Sequence, residues 1–171
     1  MAADASSSDG SPDVLAPRVR AAVTDDVDEL VRLDRLAREH LRPLRGGEMY
    51  LLHTARPEPP NASLLADLAE VDRVVLLGCL GEVPVGYAIA AVRPLADGTC
   101  AAEVSEVFVE PEARGVGIGG LLMHQVVHWA TDRGCIGIDA RALPGDRDTK
   151  NFFESFGLVA RVITVHRDLR A

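Results

Sequence analysis

A cluster of glycines joins a strand-like run, Val104 to Val109, to a helix-like run, Leu121 to Thr131, and this junction constrains the fold most. It reads Arg114-Gly115-Val116-Gly117-Ile118-Gly119-Gly120. A strand that turns through glycines into a helix presents a row of backbone N–H groups at the helix N-terminus. The macrodipole favours negative charge at the same place, so the junction is suited to a pyrophosphate. The glycines admit close approach and positive φ where the chain curls. Pro111, just upstream, helps end the strand because it cannot donate to a ladder.

Two other phosphate-binding turns fail on their own residue requirements. A P-loop closes on Gly-Lys-Ser/Thr, whereas Gly119-Gly120 is followed by Leu121. A dinucleotide fingerprint sits on the first strand of a βαβ unit, with an acidic residue about 20 positions on. Here the glycines fall deep in the second half of the chain.

Around this junction the pattern predicts one α+β domain with no internal repeat. Arg18 to Val23 reads as a strand. Thr24 or Asp25 is placed to cap a helix whose stripe is Val27, Leu30, Val31, Leu33 and Leu36. Gly46-Gly47 ends it, and Glu48 to Thr54 suggests a short helix. The prolines between Arg56 and Asn61 make a loop, and Leu64 to Leu68 a further turn or two. Strands follow at Arg73 to Leu80 and Pro84 to Arg93, joined by Gly81-Glu82-Val83, and then at Cys100 to Val109. The helix after the glycines carries Leu121, Leu122, Val126, Trp129 and Ala130 on one face and stops at Gly134. Cys135 to Ala142 reads as a strand, Thr149 to Phe156 as a helix, and Leu158 to Leu169 as a last strand.

Composition sets the class. With 171 residues, 47% of them hydrophobic, the chain can bury one core. No apolar run approaches the roughly 20 residues that span a bilayer, so no membrane association is expected. Residues 1–17 lack the basic start and apolar centre of a secretory signal and read as a disordered tail, leaving 18–171 as the domain. Three scattered cysteines suggest cytoplasmic thiols rather than a disulfide framework. A net charge of -8 argues against nucleic acid and suits a cationic acceptor.

The block from Ala102 to Gly119 resembles the GNAT family of acyl-CoA-dependent N-acetyltransferases. Arg114, Gly117 and Gly119 fill that family's R/Q-x-x-G-x-G/A signature, and Val109-Glu110-Pro111 fills the V-x-P before it. The resemblance runs from about Arg18 to Leu169. It implies a mixed, mostly antiparallel sheet flanked by helices, in a single domain. It implies acetyl-CoA as co-substrate, its pyrophosphate on the amides of Gly115, Val116, Gly117, Ile118, Gly119 and Gly120 beside Arg114. Its pantetheine arm would pair with the backbone of Val107, Phe108 and Val109. It implies transfer to a primary amine of a small molecule or protein, with no metal, and leaves monomer or homodimer open. A non-catalytic acyl-CoA-binding module is the alternative reading, and a degenerate interaction domain a third.

An amine attacking a thioester must lose a proton, and a carboxylate can take it directly or through a water. Glu103 and Glu106 on the central strand are the candidates. Their odd separation predicts opposite faces, with Glu103 on the side of Val107 and Val109. Aligned on Arg114, Glu103 matches the glutamate base of some family members, and Glu106 an acidic position before the pairing segment. Phe153 stands where the family usually has a tyrosine as general acid, and Asp146 where many members have asparagine. Only Tyr50 and Tyr87 remain as tyrosines, and the sequence brings neither to the sulfur. His124 and His128 mimic a zincin helix, but Gln125 replaces the glutamate and no third ligand is evident, so solvated helix histidines are expected. Cys135 reads as core, and His166 as a residue of the last strand that could face the acceptor cleft.

Overall fold

The computed structural model describes residues 15–169. Residues 1–14 of the expected tail and 170–171 of the expected domain lie outside the described residues. Pro17, assigned to the tail, already belongs to the first strand.

Among the described residues, five strands form one sheet in the order β1-β2-β3-β4-β5. They are β1 (Pro17–Ala21), β2 (Arg73–Leu80), β3 (Val83–Pro94), β4 (Cys100–Val109) and β5 (Ile138–Ala140). The first four are antiparallel, and β5 runs parallel to β4 over only Ala102–Val104. Helices α1 (Val27–Leu41), α2 (Gly47–Thr54) and α3 (Asn61–Ala69) precede β2; α4 (Ile118–Asp132) and α5 (Arg147–Glu154) follow β4 and β5.

Both faces of the sheet are covered, which explains the near-continuous apolar runs of β2 and β3. One face packs Val75, Leu77, Tyr87, Ile89 and Phe108 under Leu30, Leu33 and Ala37 of α1 and Leu64 of α3. The other packs Leu76, Ala88, Ala90 and Val104 under Ile118, Leu122, Met123 and Val126 of α4, with Phe153 of α5 beside them. A Cβ on Gly78 would come within 2.4 Å of Ile118 Cγ2, so the absent side chain lets α4 settle onto β2.

Four expectations change in detail. Neither Thr24 nor Asp25 caps α1. A 3₁₀ turn over Thr24–Asp26 leads into it, and the Asp26 carboxylate accepts from Val23 N–H at 2.8 Å and from both Arg20 Nη atoms at 2.6 and 2.7 Å. On α4, Met123 is buried in place of Leu121, which is exposed. The strand expected from Cys135 shrinks to Ile138–Ala140: Cys135 N–H still closes the end of α4 on Ala130 O at 3.0 Å, and Ile136 and Gly137 each make one backbone bond to the start of β4 ahead of the strand proper. Residues 158–169 form no strand and are exposed from Val159 onward. Arg161 pairs with Asp139 of β5, yet no ladder follows, and a β-prone run without a paired edge has no strand to join.

Candidate functional site

A cavity of about 790 Å³ opens where β4 and β5 part. Since β5 covers β4 only to Val104, Ser105–Val109 has no strand beside it on that side among the described residues. Val107, Phe108 and Val109 line the cavity along this free edge. An extended molecule laid there can take backbone hydrogen bonds as an added strand does.

The glycine junction forms the next wall. Gly115 and Gly117 have φ of +83° and +95°, values that side chains oppose, and Gly117 is the N-cap of α4. The first N–H groups of α4 have no intrahelical acceptor, so Ile118, Gly119 and Gly120 offer amides at the helix's positive end. The other glycines serve different ends. A Cβ on Gly119 would meet the Phe152 ring at 3.3 Å, whereas one on Gly120 would project into open space. Gly115, Gly117, Gly119 and Gly120 all border the cavity. Arg114 donates from Nε to Val109 O at 3.1 Å and lies 3.3 Å from His40 Nε2, which ties the turn to the end of β4. Val116 is exposed and lies off the cavity wall.

The two glutamates of β4 do not fall on opposite faces. The register passes from Ala90↔Val104 to Ile89↔Glu106, so Ser105 is an extra residue, a β-bulge, and its hydroxyl bonds Ile89 O at 3.2 Å. One inserted residue resets the alternation downstream. Glu103 opposite Ala91 and Glu106 opposite Ile89 therefore share the α1 face, while Val107 and Val109 point toward α4. Their surroundings differ. Glu103 is held between Arg93, at 2.8 Å, and Arg141, and does not line the cavity. Glu106 does.

Glu106 is the centre of a network that joins β4, β3, α1, α3 and β2 through Arg56 of the α2–α3 loop. Its Oε2 accepts from the Tyr87 hydroxyl at 2.7 Å and its Oε1 from Arg56 Nη2. Arg56, 8% exposed, also donates to Asp67 at 2.8 Å and Ser63 at 3.2 Å. Its Nε sits 3.7 Å from Asp34 and has no hydrogen-bond partner among the described residues. Asp34 is held by Arg38 at 2.7 Å, which also reaches Glu58 at 2.9 Å, and Asp67 by Arg73 at 3.0 Å. Burial pushes the Glu106 carboxyl above its ordinary 4.5; Arg56 and the Tyr87 hydrogen bond oppose that rise, and Asp34 adds to it. Burial, and then the Glu106 charge, holds Tyr87 well above the usual tyrosine range, so its hydroxyl remains a donor.

The far wall comes from residues 141–149 and α5. Asp146 caps α5 by accepting from Thr149 N at 3.0 Å and borders the cavity, as do Phe152 and Phe153. Both tyrosines reach the cavity, Tyr50 from α2 and Tyr87 from β3. Among the described residues no group of three His, Cys, Asp or Glu could hold a metal ion. His128 pairs with Asp132 at 2.9 Å, and His124 packs edge-on against Phe156. His166 is exposed and away from the cavity wall. Cys135 is half-buried in the turn before β5 rather than in the core. Arg56, Asp34 and Arg38 carry no sequence signal that marks them for the site; Arg56 stands in a proline loop.

Comparisons with known proteins bear on the family and the fold. The family model described as "Acetyltransferase (GNAT) family" matches residues 34–158. No curated protein matches. Among solved structures, an aminoglycoside acetyltransferase from an uncultured soil metagenomic sample, in complex with sisomicin, is similar at TM-score 0.70 and 16% identity. The match covers 91% of this chain and 97% of that one. AAC(6')-Iy in complex with the bisubstrate analogue CoA-S-monomethyl-acetylneamine is similar at 0.69 and 19% identity, covering 89% and 98%. A Trypanosoma brucei acetyltransferase is similar at 0.64 and 19% identity, covering 90% and 99%. No helix among the described residues is long and apolar enough to cross a membrane.

Proposed function

Because the chain belongs to the GNAT acetyltransferase family, we propose that it transfers an acetyl group from acetyl-CoA to a primary amine by direct attack in a ternary complex. The observation that carries this reading is one cavity holding three parts: a free β4 edge, a glycine-built row of amides, and the Glu106 carboxylate oriented by Arg56 and Tyr87.

The residues present fit the co-substrate. Open space above Gly120 and the positive-φ turn leave room for phosphate oxygens against the amides of residues 115–120, with Arg114 beside them. Val107, Phe108 and Val109 offer backbone groups to the pantetheine amides. Acetyl-CoA would supply an activated thioester carbonyl.

Glu106 is the base in this reading, and Glu103 is a strand carboxylate paired by two arginines. A carboxyl raised above its ordinary range is a stronger base for an ammonium near neutral pH. Each Glu106 oxygen already accepts one hydrogen bond and keeps a second lone pair for the amine or an intervening water. Arg56 and Tyr87 fix its orientation. Phe153 donates no proton, and the Tyr87 hydroxyl is committed to Glu106. The thiolate therefore departs unassisted, which a thiol pKa near about 8.5 permits, or takes a proton from Tyr50.

The net charge of -8 favours a cationic acceptor. Sisomicin and the acetylneamine analogue occur in the similar enzymes, so amino sugars head the acceptor panel, followed by other small amines and peptide amines. The test is thiol release from acetyl-CoA together with mass detection of the N-acetylated product. Turnover with an amine supports the reading. Phe153 at the tyrosine place favours a second reading, an acyl-CoA-binding module. Calorimetric donor binding with no product across the whole panel would establish that one instead.

A further inference from the structure

Two of the three cysteines meet at the base of the β4–β5 fork. Cys100 opens β4, and Cys135 lies in the turn between α4 and β5. Ile136 N donates to Cys100 O at 2.8 Å and Ala102 N to Gly137 O at 2.9 Å, so the backbone holds the two segments side by side. Their Sγ atoms are 3.6 Å apart, and both residues are half-buried and open to solvent. The third, Cys79, is fully buried under α1 and α3.

We propose that Cys100 and Cys135 are an oxidation site that closes to an intrachain disulfide and staples the base of the fork whose open end is the cavity. An S–S bond of about 2.05 Å needs the sulfurs to approach by about 1.5 Å, which side-chain rotation supplies when the backbones are already adjacent. The oxidant is a small disulfide such as oxidised glutathione. One cysteine thiolate attacks it, forming a mixed disulfide and releasing one glutathione thiolate. The second cysteine thiolate displaces the other. Two cysteine thiols and one glutathione disulfide become one protein disulfide and two glutathione thiols.

Such a bond ties the start of β4 to the turn ahead of β5. The strands remain paired for three residues beyond it, through Val104 and Ala140, and then part around the cavity. The staple constrains a loop of intermediate length in the unfolded chain and distorts little in the folded one.

The test uses the full chain incubated with oxidised glutathione and then freed of it. The expected product is monomeric, about 2 Da lighter than the reduced protein, with a peptide map linking Cys100 to Cys135. Its melting temperature should rise by about 5–10 °C and fall back on reduction with dithiothreitol. Cys100→Ser and Cys135→Ser should each abolish the mass loss, whereas Cys79→Ser should keep it. A persistent glutathione adduct about 305 Da heavier, a link through Cys79, or an intermolecular dimer would overturn the proposal. A disulfide that forms and leaves the melting temperature unchanged would overturn the staple.

Discussion

Replacing Arg56 by methionine should damage the protein in a pattern that the network around it dictates. The side chain is 8% exposed and faces three carboxylates. Two of these keep a second cation when Arg56 is lost: Asp34 retains Arg38 at 2.7 Å and Asp67 retains Arg73 at 3.0 Å. Among the described residues, Glu106 keeps only the Tyr87 hydroxyl. Stranding a buried charge costs about 3–5 kcal/mol, and the residual exposure of Glu106 places Arg56→Met at the low end, about 3 kcal/mol. That corresponds to a fall in melting temperature of about 6–12 °C for a chain of this size.

The loss should depend on pH, and its sign follows from Glu106. Its folded-state pKa is already above 4.5, and losing the Arg56 charge removes the main opposing influence and raises it further. A group with a raised folded pKa stabilises fully below its unfolded pKa and loses that contribution as pH rises through the folded value. Urea unfolding should therefore show a small penalty near about pH 5 and the full penalty near about pH 8. Adding Glu106→Gln should recover at least half of it, and adding Asp67→Asn far less. A loss below about 1 kcal/mol at the higher pH, or equal losses at both, would refute the assignment of the stranded charge to Glu106.

Other expectations follow from the same cavity. Gly120→Ala places a methyl over the amide row while replacing a helical glycine. The variant should be about 0.5–1 kcal/mol more stable yet bind acetyl-CoA more weakly by calorimetry; unchanged affinity would move the pyrophosphate elsewhere. Gly117→Val should weaken donor binding by about 1–3 kcal/mol and also strain a φ of +95°. Phe153→Tyr adds a hydroxyl to a residue 6% exposed within the core, so steady-state kinetics should show no gain and unfolding a modest loss of stability. A clear rise in turnover at saturating donor would show that a missing acid had been limiting.

The sheet, the glycine turn and the order of elements were legible because each rests on local chemistry. The glycines at 115 and 117 do adopt positive φ, Gly134 does end α4, and the apolar runs of β2 and β3 are buried on both faces. Within the site, parity was misleading. A bulge at Ser105 carries no compositional mark, and it turned two glutamates expected on opposite faces onto one. Arg56 was invisible for a different reason: its partners Glu106, Asp67 and Asp34 lie 50, 11 and 22 positions away, and only the tertiary fold brings them together. At the C-terminus the β-prone residues Val162, Ile163 and Val165 read as a strand, but a strand is made by its neighbour, and these are exposed.

The most direct test of the catalytic reading compares initial rates of acetyl transfer across pH for wild type, Glu103→Gln and Glu106→Gln, with donor affinity measured alongside. Glu106→Gln should lower turnover by about 10²–10⁴ near neutral pH, with acetyl-CoA affinity near wild type and a smaller deficit at high pH, where the amine is already neutral. Wild type should lose activity with falling pH at a point above 4.5, because the base titrates higher than an ordinary carboxylate. Glu103→Gln should stay within a few-fold of wild type. A large loss in Glu103→Gln beside a near-normal Glu106→Gln would contradict the assignment of the base.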